Sequence, residues 1–225
     1  MRKVIGHNIL GFDLPYLHKS NFKYGSLGNP FLNSRGFWNP LFADTMRIYD
    51  PKEMISLDNL AKFLGHKEGK IGNGKHFHAM EQEDKEAYLT RDLRLVEFCF
   101  EKMNRNNVVC ADPIFFDIET APLPDDEIAE LIPPFDPDKV KLGARKKPEV
   151  IEEYIEEQRA KHLPSFIDKA GLDAKLSVPV AIGYIINGEV EMHFDDPKTL
   201  LNGFWAICGE VWNYNINQQK NESTN

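Results

Sequence analysis

Two acidic residues close an apolar run in the middle of the chain, and their spacing suits the binding of a divalent metal ion. The run Phe115-Phe116-Asp117-Ile118-Glu119 is typical of a buried strand. Because side chains alternate along a strand, Asp117 and Glu119 are expected on one face, within reach of a single ion. Neighbouring carboxylates repel each other unless a cation lies between them, and Mg²⁺ prefers oxygen ligands. For this motif taken alone, a solvated strand end is the alternative.

Two further motifs place an acid near an aromatic residue. Asn8-x₃-Phe12-Asp13 comes directly after a short apolar strand, so Asp13 is either a ligand at the mouth of a loop or a helix N-cap. Tyr88 and Asp92 are separated by one helical turn, which puts the phenol and the carboxylate on one face of a helix. The alternative for that pair is a tyrosine packed on its own helix beside a solvated aspartate.

The elements that must position these motifs indicate an α/β fold. Strands are predicted at residues 3–6, 41–44, 114–120, 178–186 and 189–194. A first helix is predicted to follow the loop after residue 6 and to end at about residue 20. Further helices are predicted over 57–64, 84–103, 149–162 and 198–212, with a shorter helical piece near 166. Ser56 is predicted to cap the 57–64 helix and Gly65 to end it. Asn187-Gly188 is typical of a two-residue hairpin turn, and a loop rich in Gly and Lys spans 65–78.

Composition narrows the class of protein. With 225 residues and 42% hydrophobic residues, the chain can form a packed core, which excludes wholesale disorder. No apolar run approaches the roughly 20 residues that a membrane helix needs, so no membrane contact is expected. Three cysteines without a CxxC pair predict reduced thiols and a cytoplasmic location. The net charge of −8 opposes nucleic-acid binding, but bound divalent cations would offset part of it.

Together, the three motifs resemble the exonuclease motifs of the DEDD superfamily, in its tyrosine-containing DEDDy branch. A member of the histidine branch would carry His five residues before Asp92, where this chain has Ala87. The segments at 6–15 (Gly-His-Asn-x₃-Phe-Asp-Leu-Pro) and 56–60 (Ser-Leu-Asp-x-Leu) are similar to predicted 3′–5′ exonucleases related to the proofreading domain of family-B DNA polymerases. The resemblance covers the chain up to about residue 213.

The motif order differs from that family, in which the Asp-x-Glu strand comes first. The resemblance therefore implies a circularly permuted RNase H-like fold: a mixed five-stranded sheet flanked by helices, with a helical insertion over 122–175. Residues 1–106 would correspond to the back half of the family's fold and 107–213 to the front half. The whole chain, 1–225, would form a single exonuclease domain, with 214–225 as a disordered tail. A permuted chain could form a monomer or a swapped dimer.

The resemblance also implies a chemistry, hydrolysis of phosphodiester bonds at single-stranded 3′ ends with two Mg²⁺ or Mn²⁺ ions, with DNA favoured over RNA. Asp117 would bridge both ions, Glu119 and Asp92 would complete the shell of the first, and Asp13 would hold the second. Tyr88 would orient the attacking water, because an unperturbed phenol pKa of about 10 is too high for a base at neutral pH.

Contacts with the substrate are predicted from residue type. A lysine or arginine can contact a phosphate, and an aromatic ring can stack on an unpaired base. The candidates are Asn8, Phe12, Lys67, Lys70, Lys75 and Arg145. Phe37, Trp38 and Phe116 are further aromatic candidates, with a place in the core as the alternative for each.

Two other functions fit the same residues. One is a catalytically silent RNase H-like module that only binds nucleic acid or a replication or repair protein. The other is an endonuclease or a different phosphotransferase on the same fold.

Overall fold

The sheet and its helices were described from a computed structural model, which covers residues 2–25, 41–71, 74–104, 112–144 and 146–222. The strands are β1 Val4–Gly6, β2 Phe42–Asp44, β3 Ile114–Pro122, β4 Ser177–Ile186 and β5 Glu189–His193. The helices are α1 Asp13–Tyr24, α2 Thr45–Tyr49, α3 Leu57–Phe63, α4 Gln82–Asn104, α5 Asp125–Leu131, α6 Pro148–Ile167 and α7 Pro197–Glu222. Short 3₁₀ segments lie at Gly74–Ala79, Pro137–Lys139 and Ala170–Leu172.

The described strands form one mixed sheet in the order β2-β1-β3-β4-β5. β1 runs parallel to both β2 and β3, whereas β4 and β5 form an antiparallel hairpin. Asn187 and Gly188 make the predicted turn with φ values of 54° and 84°, the left-handed conformations that a tight hairpin turn requires. The predicted α/β class, with a five-stranded mixed sheet flanked by helices, is confirmed, and it is compatible with an RNase H-like fold.

Two adjacent residues of β3 define the two faces of the sheet. The Phe115 ring packs edge-on against Phe100 of α4, with ring centroids 5.8 Å apart. The next ring, Phe116, packs against Phe204 of α7 at 4.9 Å. Because side chains alternate along a strand, Asp117 and Glu119 point to the same face as Phe115, which is the face that α4 covers.

The close approach of β1 to β3 depends on a glycine. A Cβ atom at Gly6 would lie 2.3 Å from Cγ2 of Ile9 and 3.0 Å from the carbonyl oxygen of Phe116. β1 ends at this residue, whereas β3 continues to Pro122. The loop after β1 therefore turns beside the part of β3 that carries the acids.

The described residues divide into two compact units. One comprises residues 1–120 and 179–225, and the other comprises 121–178. The smaller unit contains α5 and α6 and has its own apolar cluster, in which Ile128, Ala170 and Leu176 are buried against Leu163 and Phe166. Helix α6 runs without interruption through Pro164, so the prediction of two separate helical pieces near 149–162 and 166 is wrong.

Most other boundaries agree with the predictions to within a few residues. Ser56 caps α3, with its Oγ accepting from the N–H of Asn59 at 3.3 Å, and Gly65 follows the helix with a φ of 90°. The sequence patterns missed α2, a single short turn of helix directly after β2. Within the described residues, no helix is both long and apolar enough to cross a bilayer.

The C-terminal segment is ordered further than predicted. Helix α7 continues to Glu222, so the prediction of disorder from residue 214 is wrong over that range. Asn215 is buried, and its side chain forms two hydrogen bonds with the backbone of Arg2: its Oδ1 accepts from the N–H at 2.6 Å and its Nδ2 donates to the carbonyl at 2.9 Å. The Arg2 guanidinium also lies over the Tyr214 ring at 4.5 Å and pairs with Asp112 at 3.1 Å.

Replacing Asn215 with Ala is expected to lower the free energy of unfolding by about 1–3 kcal/mol, because the backbone N–H and the carbonyl of Arg2 both lose their hydrogen-bond partner. Urea unfolding would measure the change. Asn213→Ala is the matched control, since Asn213 is exposed on the same helix. Equal stability of the two variants would contradict the anchoring role of Asn215.

Candidate metal centre

Three of the predicted acids converge in the fold. The carboxylates of Asp92, Asp117 and Glu119 each offer one ligand oxygen, and these oxygens all lie within 4.8 Å of one another. β3 supplies two of the acids from one face, and α4 supplies the third from the helix that covers this face. Asp92 is buried, whereas Asp117 and Glu119 are half-buried.

Asp13 lies near this group without being part of it. It is buried in the first turn of α1, directly after the loop that follows β1. Burial is the main cause that raises its pKa, and the charge of Asp117 raises it further, so the two carboxylates are close enough to repel each other. The interpretation of Asp13 as an N-cap is wrong, because the cap position is occupied by Phe12 and carries no side-chain hydrogen bond.

The pKa values of the acids report the same crowding. The pKa of Glu119 is raised to about 9, first by burial and then by the charges of Asp117 and Asp92. Burial and then Asp92 raise the pKa of Asp117 to about 7. Burial likewise raises the pKa of Asp92, although Lys70 and a hydrogen bond from Tyr88 oppose that change. A divalent cation would remove the repulsion that raises these values.

The donor atoms of the three acids suit such an ion. Oδ1 of Asp92 is buried and has no hydrogen-bond partner among the described residues. A buried carboxylate oxygen without a donor is costly unless a cation binds it. Three carboxylates with mutually close oxygens are the hard donors that Mg²⁺ and Mn²⁺ prefer. The residues therefore fit a divalent ion.

Tyr88 lies beside the acids. Its ring is buried against Phe77, with centroids 5.8 Å apart, and its hydroxyl accepts a hydrogen bond from Lys70 Nζ at 3.3 Å. Burial, followed by the charge of Asp92, raises the pKa of Tyr88 above its ordinary value. The hydroxyl is therefore neutral at physiological pH and acts as a hydrogen-bonding group and not as a base.

Lys70 is the one predicted substrate contact that reaches the acids among the described side chains. Its ammonium forms an ion pair with Oδ2 of Asp92. Burial is the largest single effect and lowers the pKa of Lys70, but the charge of Asp92, its hydrogen bond and the charges of Tyr88 and Asp117 together outweigh it and raise that pKa above its ordinary value. The ammonium is therefore charged, and it neutralises part of the acidic cluster.

The other predicted contacts have different surroundings. Asn8 occupies the left-handed turn after β1 at φ 61°, and Phe12 is half-buried against Tyr16 with centroids 5.6 Å apart. Lys67 is exposed. Phe116 is fully buried in the core, so its prediction as a stacking platform is wrong. The side chain of Lys75, and Phe37, Trp38 and Arg145, lie outside the described residues.

Asp44, at the end of β2, was missed by the sequence analysis. Its Oδ1 accepts from the N–H groups of Asn8 at 2.8 Å and Met46 at 3.0 Å, and its Oδ2 accepts from that of Leu10 at 3.0 Å. Because β1 and β2 are parallel and Gly6 pairs with Asp44, this carboxylate lies where the β1 loop begins. It fixes the turn that leads into Asp13. The available signal was an aspartate at the end of a predicted strand.

A second missed residue is Gly74, at the start of a 3₁₀ segment. A Cβ atom at this position would lie 2.9 Å from the Tyr88 hydroxyl and 3.4 Å from Oε2 of Glu119. The backbone of this segment therefore lies against the site. A glycine in a loop rich in glycine carries no sequence signal of such a contact.

Comparisons with known proteins gave no relative for this chain: no family model matches it, and no curated protein or solved structure does so either.

The raised pKa of Glu119 predicts that the metal-free protein loses stability as pH rises. Between the ordinary value of 4.5 and about 9, the folded state binds more protons than the unfolded state, so the free energy of unfolding falls with increasing pH. Thermal unfolding in EDTA should show Glu119→Gln gaining several degrees over the wild type at pH 9 and little at pH 5. Glu101→Gln, on the exposed part of α4, is the control. An identical gain at both pH values would contradict the prediction.

Replacing Asp44 with Asn should destabilise the protein by about 1–3 kcal/mol, because an amide nitrogen would face a backbone donor. Asp50→Asn is a suitable control, since exposed Asp50 also accepts two backbone N–H bonds, from Lys52 at 2.7 Å and Glu53 at 3.0 Å, where water can replace a lost acceptor. Urea unfolding of both variants checks the prediction. A loss for Asp44→Asn no larger than that of the control would contradict it.

Proposed function

We propose that this protein is a metal-dependent 3′–5′ exonuclease that hydrolyses phosphodiester bonds at single-stranded ends, with DNA preferred to RNA. The observation that carries the proposal is the convergence of Asp92, Asp117 and Glu119, from two separate motifs, within 4.8 Å. These are the residues to which the resemblance gives the first ion. Acids without a ligand are more stable when they are exposed to solvent, so their convergence on the covered face of the sheet favours a bound cation.

Asp117, Glu119 and Asp92 would hold the first ion, and Asp117 and Asp13 would hold the second. When bound, two such cations activate a water molecule as a nucleophile and stabilise the charge that develops on the phosphate and the leaving oxygen. Asp117 and Glu119 are half-buried, whereas Asp92 is buried. Asp44 supports Asp13 by fixing the preceding turn through its bonds to the backbone of Asn8 and Leu10.

Tyr88 would orient the attacking water. Its hydroxyl keeps its proton, because burial and the charge of Asp92 raise its pKa. The hydroxyl accepts from Lys70 at 3.3 Å and donates its own proton to Asp92, so its remaining acceptor capacity is what would bind the water. Gly74 permits this position, since a Cβ there would lie 2.9 Å from the hydroxyl oxygen. Lys70 would in addition contact a phosphate oxygen of the substrate.

The circular permutation is part of the proposal. Two hydrogen bonds join the backbone of Arg2 to the side chain of Asn215, so the segment before the first strand lies beside the last helix at Asn215. A permuted fold requires that these two segments be neighbours, since the unpermuted relative would connect them along the chain. The predicted connector between the two halves, 104–111, lies almost entirely outside the described residues.

A catalytically silent module that binds nucleic acid or a replication or repair partner is the second candidate. The ion pair between Lys70 and Asp92 favours it, because an ammonium already neutralises part of the acidic group. A module of this kind would bind single-stranded DNA equally well with and without EDTA and would leave it intact.

Replacing Asp117 with Asn, or Glu119 with Gln, is expected to reduce cleavage at least about a thousandfold, since several kcal/mol of transition-state stabilisation is lost. A 5′-labelled single-stranded DNA oligonucleotide in Mg²⁺ or Mn²⁺ would show stepwise shortening by the wild type, and EDTA would stop it. Glu101→Gln, with its exposed side chain on α4, should cleave like the wild type.

A 3′-blocked oligonucleotide and a circular single strand separate the remaining reactions. Both should resist an exonuclease, whereas cleavage of the circle would identify an endonuclease. Metal-dependent shortening that persists in Asp117→Asn and Glu119→Gln would reject the proposed site.

A further inference from the structure

The positively charged side chain of Lys70 lies within the acidic cluster. The Lys70 ammonium pairs with Oδ2 of Asp92 and lies 3.3 Å from the Tyr88 hydroxyl oxygen. It also reaches the other acids electrostatically, because its charge lowers the pKa of both Asp117 and Glu119. Lys70 thus holds one oxygen of a carboxylate that an ion bound at the cluster would share.

Three contacts hold the loop that carries Lys70 in position. The N–H of Lys70 donates to Oδ1 of Asp58 at 2.9 Å. Arg91 donates from Nε to the carbonyl of Gly69 at 3.0 Å and pairs with Glu68 at 2.9 Å. These bonds fix the backbone directly before the Lys70 side chain, which points at Asp92.

Gly69 leaves room for the Asp58 carboxylate. A Cβ atom at Gly69 would lie 2.1 Å from Oδ1 of Asp58, the oxygen that accepts from Lys70. A side chain at Gly69 would therefore push this acceptor away from the N–H of Lys70. The position of Lys70 therefore depends on a specific backbone contact and not on the free rotation of a surface lysine.

An ion at Asp92 and the ammonium on the same carboxylate would repel each other strongly. A hard divalent cation lies at about 2.0–2.2 Å from its oxygen ligands, and the two oxygens of a carboxylate are close neighbours. Two positive charges a few ångströms apart in a half-buried site are poorly screened. The two cations therefore compete for Asp92.

We propose that Lys70 is a resident counter-cation of the acidic cluster and that a divalent ion must displace its ammonium from Asp92 in order to bind. This inference rests on the proposed metal centre and deepens it, since it says what sets the affinity of the centre. Lys70 neutralises the cluster in the metal-free protein and lowers its affinity for metal. The loop contacts of Asp58, Gly69 and Arg91 are positioning contacts for this lysine.

Binding of Mn²⁺, measured by electron paramagnetic resonance of the free ion, tests the proposal directly. Lys70→Met should bind Mn²⁺ at least about tenfold more tightly than the wild type, because no ammonium has to leave Asp92. Lys70→Arg should bind no more tightly than the wild type, since the guanidinium can still pair with the carboxylate. Lys19→Met, an exposed lysine on α1, removes the same charge elsewhere and should leave the affinity unchanged.

Thermal unfolding gives a second measurement that does not involve activity. In EDTA, Lys70→Met should unfold several degrees below the wild type, because the carboxylates lose their counter-charge. Saturating Mn²⁺ should then raise its unfolding temperature by more than it raises that of the wild type. If Lys70→Met does not fold, Gly69→Ala displaces the same loop without changing any acid, and it too should bind Mn²⁺ more tightly than the wild type.

The outcomes separate this inference from the nuclease proposal. If the wild type and Lys70→Met bind Mn²⁺ with equal affinity, or if Lys19→Met gives the same gain, the displacement of Lys70 is rejected and the metal centre stands. If neither the wild type nor Lys70→Met binds Mn²⁺, the metal centre itself is rejected, and the displacement falls with it.

Discussion

Repulsion between carboxylates that share a half-buried position is the constraint on which this site depends. Burial raises the pKa of Asp117, Glu119 and Asp13, and the charge of a neighbouring acid raises each of them further. Folding that gathers like charges in this way is unfavourable unless something positive joins them. In the metal-free protein Lys70 supplies such a charge through Asp92, and a divalent ion that replaced it would also bind the unpartnered Oδ1 of that carboxylate.

The sheet supplies the geometry that brings the acids together. Parallel pairing of β1 with β2 and β3 puts the ends of these strands at one edge, so the loop before Asp13, the carboxylate of Asp44 and the acids of β3 are neighbours. Alternation along β3 sends Phe116 to the α7 face and Asp117 to the α4 face. Helix α4 then covers that face and contributes Tyr88 and Asp92 from consecutive turns.

Hydrogen bonds from side chains to backbone hold the loops of the site in position. Asp44 binds the turn after β1, Asp58 binds the backbone of Lys70, and Arg91 binds the carbonyl of Gly69. Each contact joins segments that are separated in the chain. Each also positions a residue close to the acids, Asp13 in the first case and Lys70 in the other two. Such loops have no regular secondary structure, but they still place a charge accurately because their backbone groups have fixed hydrogen-bond partners.

Periodicity, capping residues and turn signals were sufficient for the α/β class, the strands, α3, α4 and the hairpin at Asn187-Gly188, because these features depend on neighbours a few residues away. They also placed Asp117 and Glu119 on one face and Tyr88 and Asp92 on one helical stripe. Tertiary structure alone decided that Phe116 is core, that Asn215 anchors α7 to Arg2, and that Lys70 pairs with Asp92. Each of these contacts joins residues far apart in the chain. Local sequence patterns do not indicate which distant backbone group or charged residue a side chain will contact.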